Sequence, residues 1–154
     1  MMKDIKLTIN GEGYEASVAP YETLTDVLRD KLGLLEVKKG CDSGGCGACT
    51  VLVDGLPVYS CLMLAVQAEG KAIITIRGLS TDGELHPLQK NFIKYGAIQC
   101  GYCTPGTILS AKALLDKNPR PSEEEVKEAI SGNVCRCTGY LQIVEAILAT
   151  AAEG

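Results

Sequence analysis

The chain has no tryptophan, one phenylalanine and a single histidine, His86, among its 154 residues. One histidine cannot build a Rieske centre, which needs two on one iron. Covalent haem attachment needs C-x-x-C-H, whereas Thr50 and Thr104 follow the two C-x-x-C pairs. His86 stands before Pro87 and reads as a loop or helix-capping residue without a chemical role. There is no basic excess either. Fifteen Lys and Arg against 19 Asp and Glu leave a net charge of −4, which argues against a nucleic-acid surface. No apolar run approaches the roughly 18 residues of a membrane span. The opening MMKDIKLTIN alternates charged and apolar residues and lacks the apolar stretch of a secretory signal. A cytoplasmic protein is therefore expected. Internal repeats, heptads and a complete G-x-G-x-x-G fingerprint are absent, the glycines at 44–47 being interrupted by Cys46.

What the chain has is cysteine, eight in all. Disulfides are rare in the reducing cytoplasm, and C-x-C and C-x-x-C pairs are too tightly spaced for ordinary structural bridges. The thiols are candidate metal ligands. Cys41, Cys46 and Cys49 form a C-x4-C-x2-C run closed by Cys61, the plant-type spacing for a [2Fe–2S] cluster. The residues between them are mostly small: Ser43, Gly44, Gly45, Gly47 and Ala48. A loop wrapped around an anionic cluster needs positive φ and close backbone approach, so that N–H groups can face sulfur. Cys61 lies beyond a predicted hairpin, Thr50–Val53 and Pro57–Ser60 around Asp54-Gly55, which can return the fourth thiolate to the site.

The pattern changes character near residue 77. Ahead of it, Ile5, Leu7 and Ile9 alternate, Asn10-Gly11 offers a turn, and Tyr14, Ala16 and Val18 alternate again, predicting a hairpin. Thr23 with Asp26 predicts a capped helix bearing Leu24, Val27, Leu28 and Leu32, with Gly33 as its stop. Residues 72–76 (AIITI) predict a last strand. The fold class expected is α+β: a β-grasp, ferredoxin-like domain over 1–77, a polar linker over 77–84, and a helical domain over 85–154. Helices are predicted to open at Pro87, at Thr104-Pro105, at the Ser122/Glu125 capping box and at Thr138, forming a small four-helix bundle.

The remaining cysteines, Cys100 and Cys103, then Cys135 and Cys137, stand at the connections between these helices. Their C-x2-C…C-x-C pattern is not a ferredoxin pattern, and spacing alone leaves two readings open. One is a zinc tetrathiolate. The other is a second iron–sulfur cluster, favoured because the chain already carries one redox site and because helix N-termini after Cys103 and Cys137 would favour negative charge. A free-standing ferredoxin with a zinc-stapled helical appendage, and a metal-sensing or assembly module, are the alternative functions.

Three segments, GCDSGGCGACTV at 40–51, QCGYCTPG at 99–106 and GNVCRCTGY at 132–140, resemble the signatures of the iron–sulfur subunit of molybdenum hydroxylases, the xanthine dehydrogenase, aldehyde oxidoreductase and carbon monoxide dehydrogenase relatives. The resemblance covers essentially the whole chain. It implies two [2Fe–2S] clusters, ligated by Cys41, Cys46, Cys49 and Cys61 and by Cys100, Cys103, Cys135 and Cys137. It also implies Gln99 and Cys137 as residues touching a molybdopterin in dinucleotide form, and an electron relay from that centre to FAD. The helical cluster would lie nearer the molybdenum. Ending at Gly154, the chain would need a large molybdopterin-binding subunit and a medium FAD-binding subunit, a hetero-oligomer such as a dimer of heterotrimers. Substrate chemistry would lie on the partner, leaving no catalytic residue here. Arg136 reads as a partner-facing or solvated side chain, and Tyr102 and Tyr140 as packing around a buried cluster.

Overall fold

A computed structural model of the chain describes residues 1–154. β1 (Lys3–Ile9) and β2 (Glu12–Val18) form the first hairpin. Its turn places Asn10 at φ 53° and Gly11 at φ 81°, the positive pair that matches the twist of the flanking strands. α1 (Leu24–Asp26) is capped reciprocally by Thr23 and Asp26, as predicted. It then widens into a π-helical turn, Val27–Lys31, which the sequence pattern did not indicate. Gly33, at φ 69°, ends it. β3 (Thr50–Val53) and β4 (Leu56–Tyr59) make the second hairpin, and β5 (Ala72–Ile74) is two residues shorter than expected, because a 3-10 turn begins at Ile76. The sheet order is β2-β1-β5-β3-β4, with β1 and β5 parallel and the other neighbours antiparallel.

Four helices follow: α2 (Pro87–Lys94), α3 (Thr104–Lys117), α4 (Glu123–Ile130) and α5 (Leu141–Glu153). His86 caps α2, its Nδ1 accepting from the Leu88 amide at 3.1 Å. The last helix differs from expectation. It starts at Leu141, not Thr138, and Tyr140 before it adopts a left-handed φ of 71°. Thr138 is bonded to the Cys135 sulfur instead. No helix is long and apolar enough to cross a membrane.

Two apolar cores result, and β3 is the wall between them. Val51 and Val53 point into a core with Ile5, Leu7, Ile9, Leu24, Leu28 and Ile73. Leu52, on the opposite face of the same strand, enters a core with Leu88, Phe92, Ile108, Leu109, Ile143 and Ile147. Alternate residues of a strand point to opposite faces, so the uninterrupted TVLV run marks a strand covered on both sides. α3 supplies the second cover, packing on β3 and β4. The helical half is therefore built onto the sheet instead of being separately packed.

Candidate metal centres

The glycine-rich loop positions the first site. The Cys41 sulfur accepts from the amides of Gly45 at 3.2 Å, Cys46 at 3.3 Å and Ser43 at 3.4 Å. The Cys46 sulfur accepts from the Cys41 and Ala48 amides, each at 3.4 Å. Asp42, Gly44 and Gly47 take φ of 55°, 78° and 72° to aim these amides inward. Such a nest of N–H groups favours anionic sulfur. Bonds from the Ser43 hydroxyl and amide, then from the Cys46 and Gly45 amides, bring the Cys41 thiol down to about 6. Cys49 and Cys61 are the inner pair, both buried. Burial first, then contact with Cys49, pushes the Cys61 thiol up to about 11. All four sulfurs gather beside Tyr59, whose hydroxyl is raised by burial and then by their charge.

The second site has the same plan with different parts. Cys103 occupies the N-cap position of α3, and Cys135 and Cys137 lie in the connection from α4 to α5. Cys103 neighbours Cys135, and Cys100 neighbours Cys137. Burial and the neighbouring Cys135 push the Cys103 thiol up to about 11. Burial opposes the Cys135 thiolate too, but the Thr138 hydroxyl and amide and the Cys137 amide outweigh it and lower that thiol. Cys137 is raised, chiefly by the neighbouring Cys100 side chain. Cys100, Cys137 and Gln99 are exposed.

Between the sites runs a clasp that sequence reading missed. The Val134 amide donates to the Cys46 carbonyl at 2.8 Å. Buried Asn133 donates its side-chain amide to the Gly47 carbonyl at 3.1 Å and reaches Thr50 Oγ1 at 3.4 Å. Tyr59 donates to the Gly132 carbonyl at 2.8 Å, and Tyr102 to the Lys39 carbonyl at 2.6 Å. Three glycines make the approach possible. A Cβ on Gly47 would overlap the Gly132 oxygen, one on Gly132 would overlap the Tyr59 hydroxyl, and one on Gly106 would sit 2.5 Å from the Gly47 oxygen. Tyr102 and Tyr140 are thus more than packing residues. Tyr102 is 45% exposed and spans the two loops, while the Tyr140 hydroxyl accepts the Cys135 amide at 2.8 Å. The only hint in the sequence was glycine beside each cysteine motif.

Comparison with known proteins agrees with this plan. A 2Fe-2S iron-sulfur cluster binding domain matches residues 7–74, and a [2Fe-2S] binding domain matches 75–148. The small FeS subunit of nicotinate dehydrogenase from Eubacterium barkeri is 54% identical over 93% of this chain and 91% of its own length. The chain belongs to the family of small [2Fe–2S] iron–sulfur subunits of the molybdenum hydroxylases. Quinoline 2-oxidoreductase from Pseudomonas putida 86 contains a chain of the same fold, with a TM-score of 0.95 and 48% identity over 99% of this chain and 94% of that one. The aldehyde oxidoreductase of Desulfovibrio gigas matches with a TM-score of 0.92 and 45% identity over 98% of this chain, but this is only 17% of that longer chain. Each half of the chain matches a [2Fe–2S] domain, so the cofactors are two [2Fe–2S] clusters and the zinc reading of the helical half falls away.

Proposed function

We propose that this chain carries electrons between a molybdopterin centre on a large partner subunit and FAD on a medium one, within a cytoplasmic hetero-oligomer. The observation that carries the reading is the presence of four free cysteines in each of the two halves that match [2Fe–2S] domains. Cys41, Cys46, Cys49 and Cys61 would hold the first cluster. Cys100, Cys103, Cys135 and Cys137 would hold the second. When bound, each cluster supplies a carrier for one electron.

The chain's own residues do the rest. Cys49 and Cys61 are buried and Cys103 and Cys135 half-buried, while Cys41, Cys100 and Cys137 are exposed. From the Cys46 carbonyl, one hydrogen bond to Val134 and one peptide link lead to Cys135, a short covalent and hydrogen-bonded route between the sites. Exposed Gln99 and Cys137 support a large-subunit interface at the helical end, and exposed Cys41 supports the medium-subunit interface at the other. The two core clusters support a division into a ferredoxin-like domain over 1–77 and a helical domain over 85–154, although Leu52 belongs to the second core. Iron, acid-labile sulfide and zinc analysis of the purified chain, with identification of the polypeptides that co-purify, tests the reading. Four irons with four sulfides, no zinc, and two larger partners are expected. Two irons with one zinc, or an isolated chain, would overturn it.

A further inference from the structure

We propose that the Thr138 hydroxyl sets the reduction potential of the helical-domain cluster by donating a hydrogen bond to the Cys135 thiolate. The inference rests on Cys135 being an iron ligand. Thr138 Oγ1 lies 3.0 Å from Cys135 Sγ. Donor counting fixes the direction of the bond. A ligating cysteine is a thiolate with no proton to give. The Thr138 oxygen meanwhile accepts the Tyr140 amide at 3.2 Å, so its own proton is free to point at sulfur. The Thr138 amide adds a second bond to the same sulfur at 3.4 Å.

The loop holds this geometry from both ends. Tyr140 takes a left-handed φ of 71°, and its hydroxyl accepts the Cys135 amide at 2.8 Å. The turn from Cys135 to Tyr140 therefore closes on itself twice, with Thr138 at its centre. Reduction of the cluster adds one negative charge, and hydrogen bonds to the sulfurs are among the terms that set its potential. A donor on sulfur stabilises the reduced form more than the oxidised form, because a charged acceptor strengthens the bond. Thr138 is thus a positioning residue for electron transfer, acting through Cys135. The ferredoxin-like loop relies mainly on backbone amides for the same purpose, which no side-chain substitution deletes.

The test is an EPR-monitored potentiometric titration of the intact complex. The wild-type complex comes first: two distinct cluster signals confirm the ligand reading, and their absence would defeat that reading independently of Thr138. Thr138→Val keeps the backbone amide and the shape but loses the hydroxyl. Its helical cluster should titrate at a more negative potential, by about a tenfold change in the oxidised-to-reduced ratio, or about 59 mV for one electron. The ferredoxin-like cluster should not move, and Thr138→Ser should restore the native value. An unchanged helical potential in Thr138→Val, or equal shifts of both clusters, would overturn the proposal. If valine prevents loading, Thr138→Ala replaces it with the same expectation. If neither valine nor alanine loads the cluster, the hydroxyl serves cluster binding, the position is structural and the proposal fails.

Discussion

At the ferredoxin-like site the outer sulfurs are met almost entirely by backbone: five amide bonds reach Cys41 and Cys46 from a loop whose glycines turn it inward. At the helical site the work passes to side chains, with Thr138 on Cys135 and Tyr140 on the Cys135 amide, while Cys103 stands at the N-terminal end of α3. A backbone nest depends on a contiguous run of small residues. Two thiols from each of two helix connections can be brought together only by the packing of those helices. The first site is therefore specified locally and the second by tertiary structure, and the clasp of Asn133, Val134, Tyr59 and Tyr102 joins the two into one body.

The largest effect should come from breaking that clasp. Gly47→Ala forces a left-handed alanine, costing about 1–2 kcal/mol, and drives its Cβ into the Gly132 carbonyl, adding about 1–3 kcal/mol of overpacking. Gly11→Ala, also at a positive φ but with open space around it, should cost only the first amount. Denaturant unfolding of the two loaded variants measures the difference. Equal losses would mean the contact between the halves carries no stability.

Iron removal sharpens the contrast between the sites. Binding free energy at such sites is also folding free energy, and each half has a small core of its own. The apo chain should exchange its amides faster in both halves. The connection around Cys135–Tyr140 should lose more protection than β1 and β2, whose ladder touches no cysteine. Hydrogen exchange with mass spectrometry reads this out, and native protection throughout the apo chain would contradict it.

The smallest effect concerns the helix that leads into the first loop. Asp26 completes the Thr23 cap and holds Lys39 at 2.7 Å, two residues before Cys41. Burial raises its carboxyl, but Lys39 and Thr23 outweigh burial and hold it below the ordinary carboxylate range. A depressed folded value contributes stability above the unfolded pKa of about 3.9, and that stability is lost as pH falls through the folded value. Asp26→Asn should cost about 1 kcal/mol at neutral pH, and the gap to wild type should close below about pH 4. Unfolding curves at pH 7 and pH 3 check it; a gap that persists unchanged at low pH would show that charge is not its source.

How legible these features were in the sequence follows the same division. The hairpin turns at Asn10-Gly11 and Asp54-Gly55, the Thr23/Asp26 and Ser122/Glu125 capping boxes and the glycine-rich cysteine loop are all local, and each was readable. The helix start placed at Thr138 was wrong because a sulfur acceptor competed with the helix for that hydroxyl and amide. The π-helical turn and the two-faced burial of β3 depend on what packs against them. Asn133 could not be chosen from sequence, since its partners at Gly47 and Thr50 lie more than 80 residues away.

The central claim is an ordered relay from molybdenum through the helical site to the ferredoxin-like site and then to flavin. The most direct test is freeze-quench EPR of the intact complex carrying Cys46→Ala, mixed rapidly with substrate. Cys46 lies in the first loop, while Cys100, Cys103, Cys135 and Cys137 remain to hold the second cluster, whose presence is checked by EPR beforehand. The account predicts that substrate still reduces the molybdenum centre and the helical cluster, while flavin reduction becomes very slow. Fast flavin reduction in a loaded Cys46→Ala complex would contradict it.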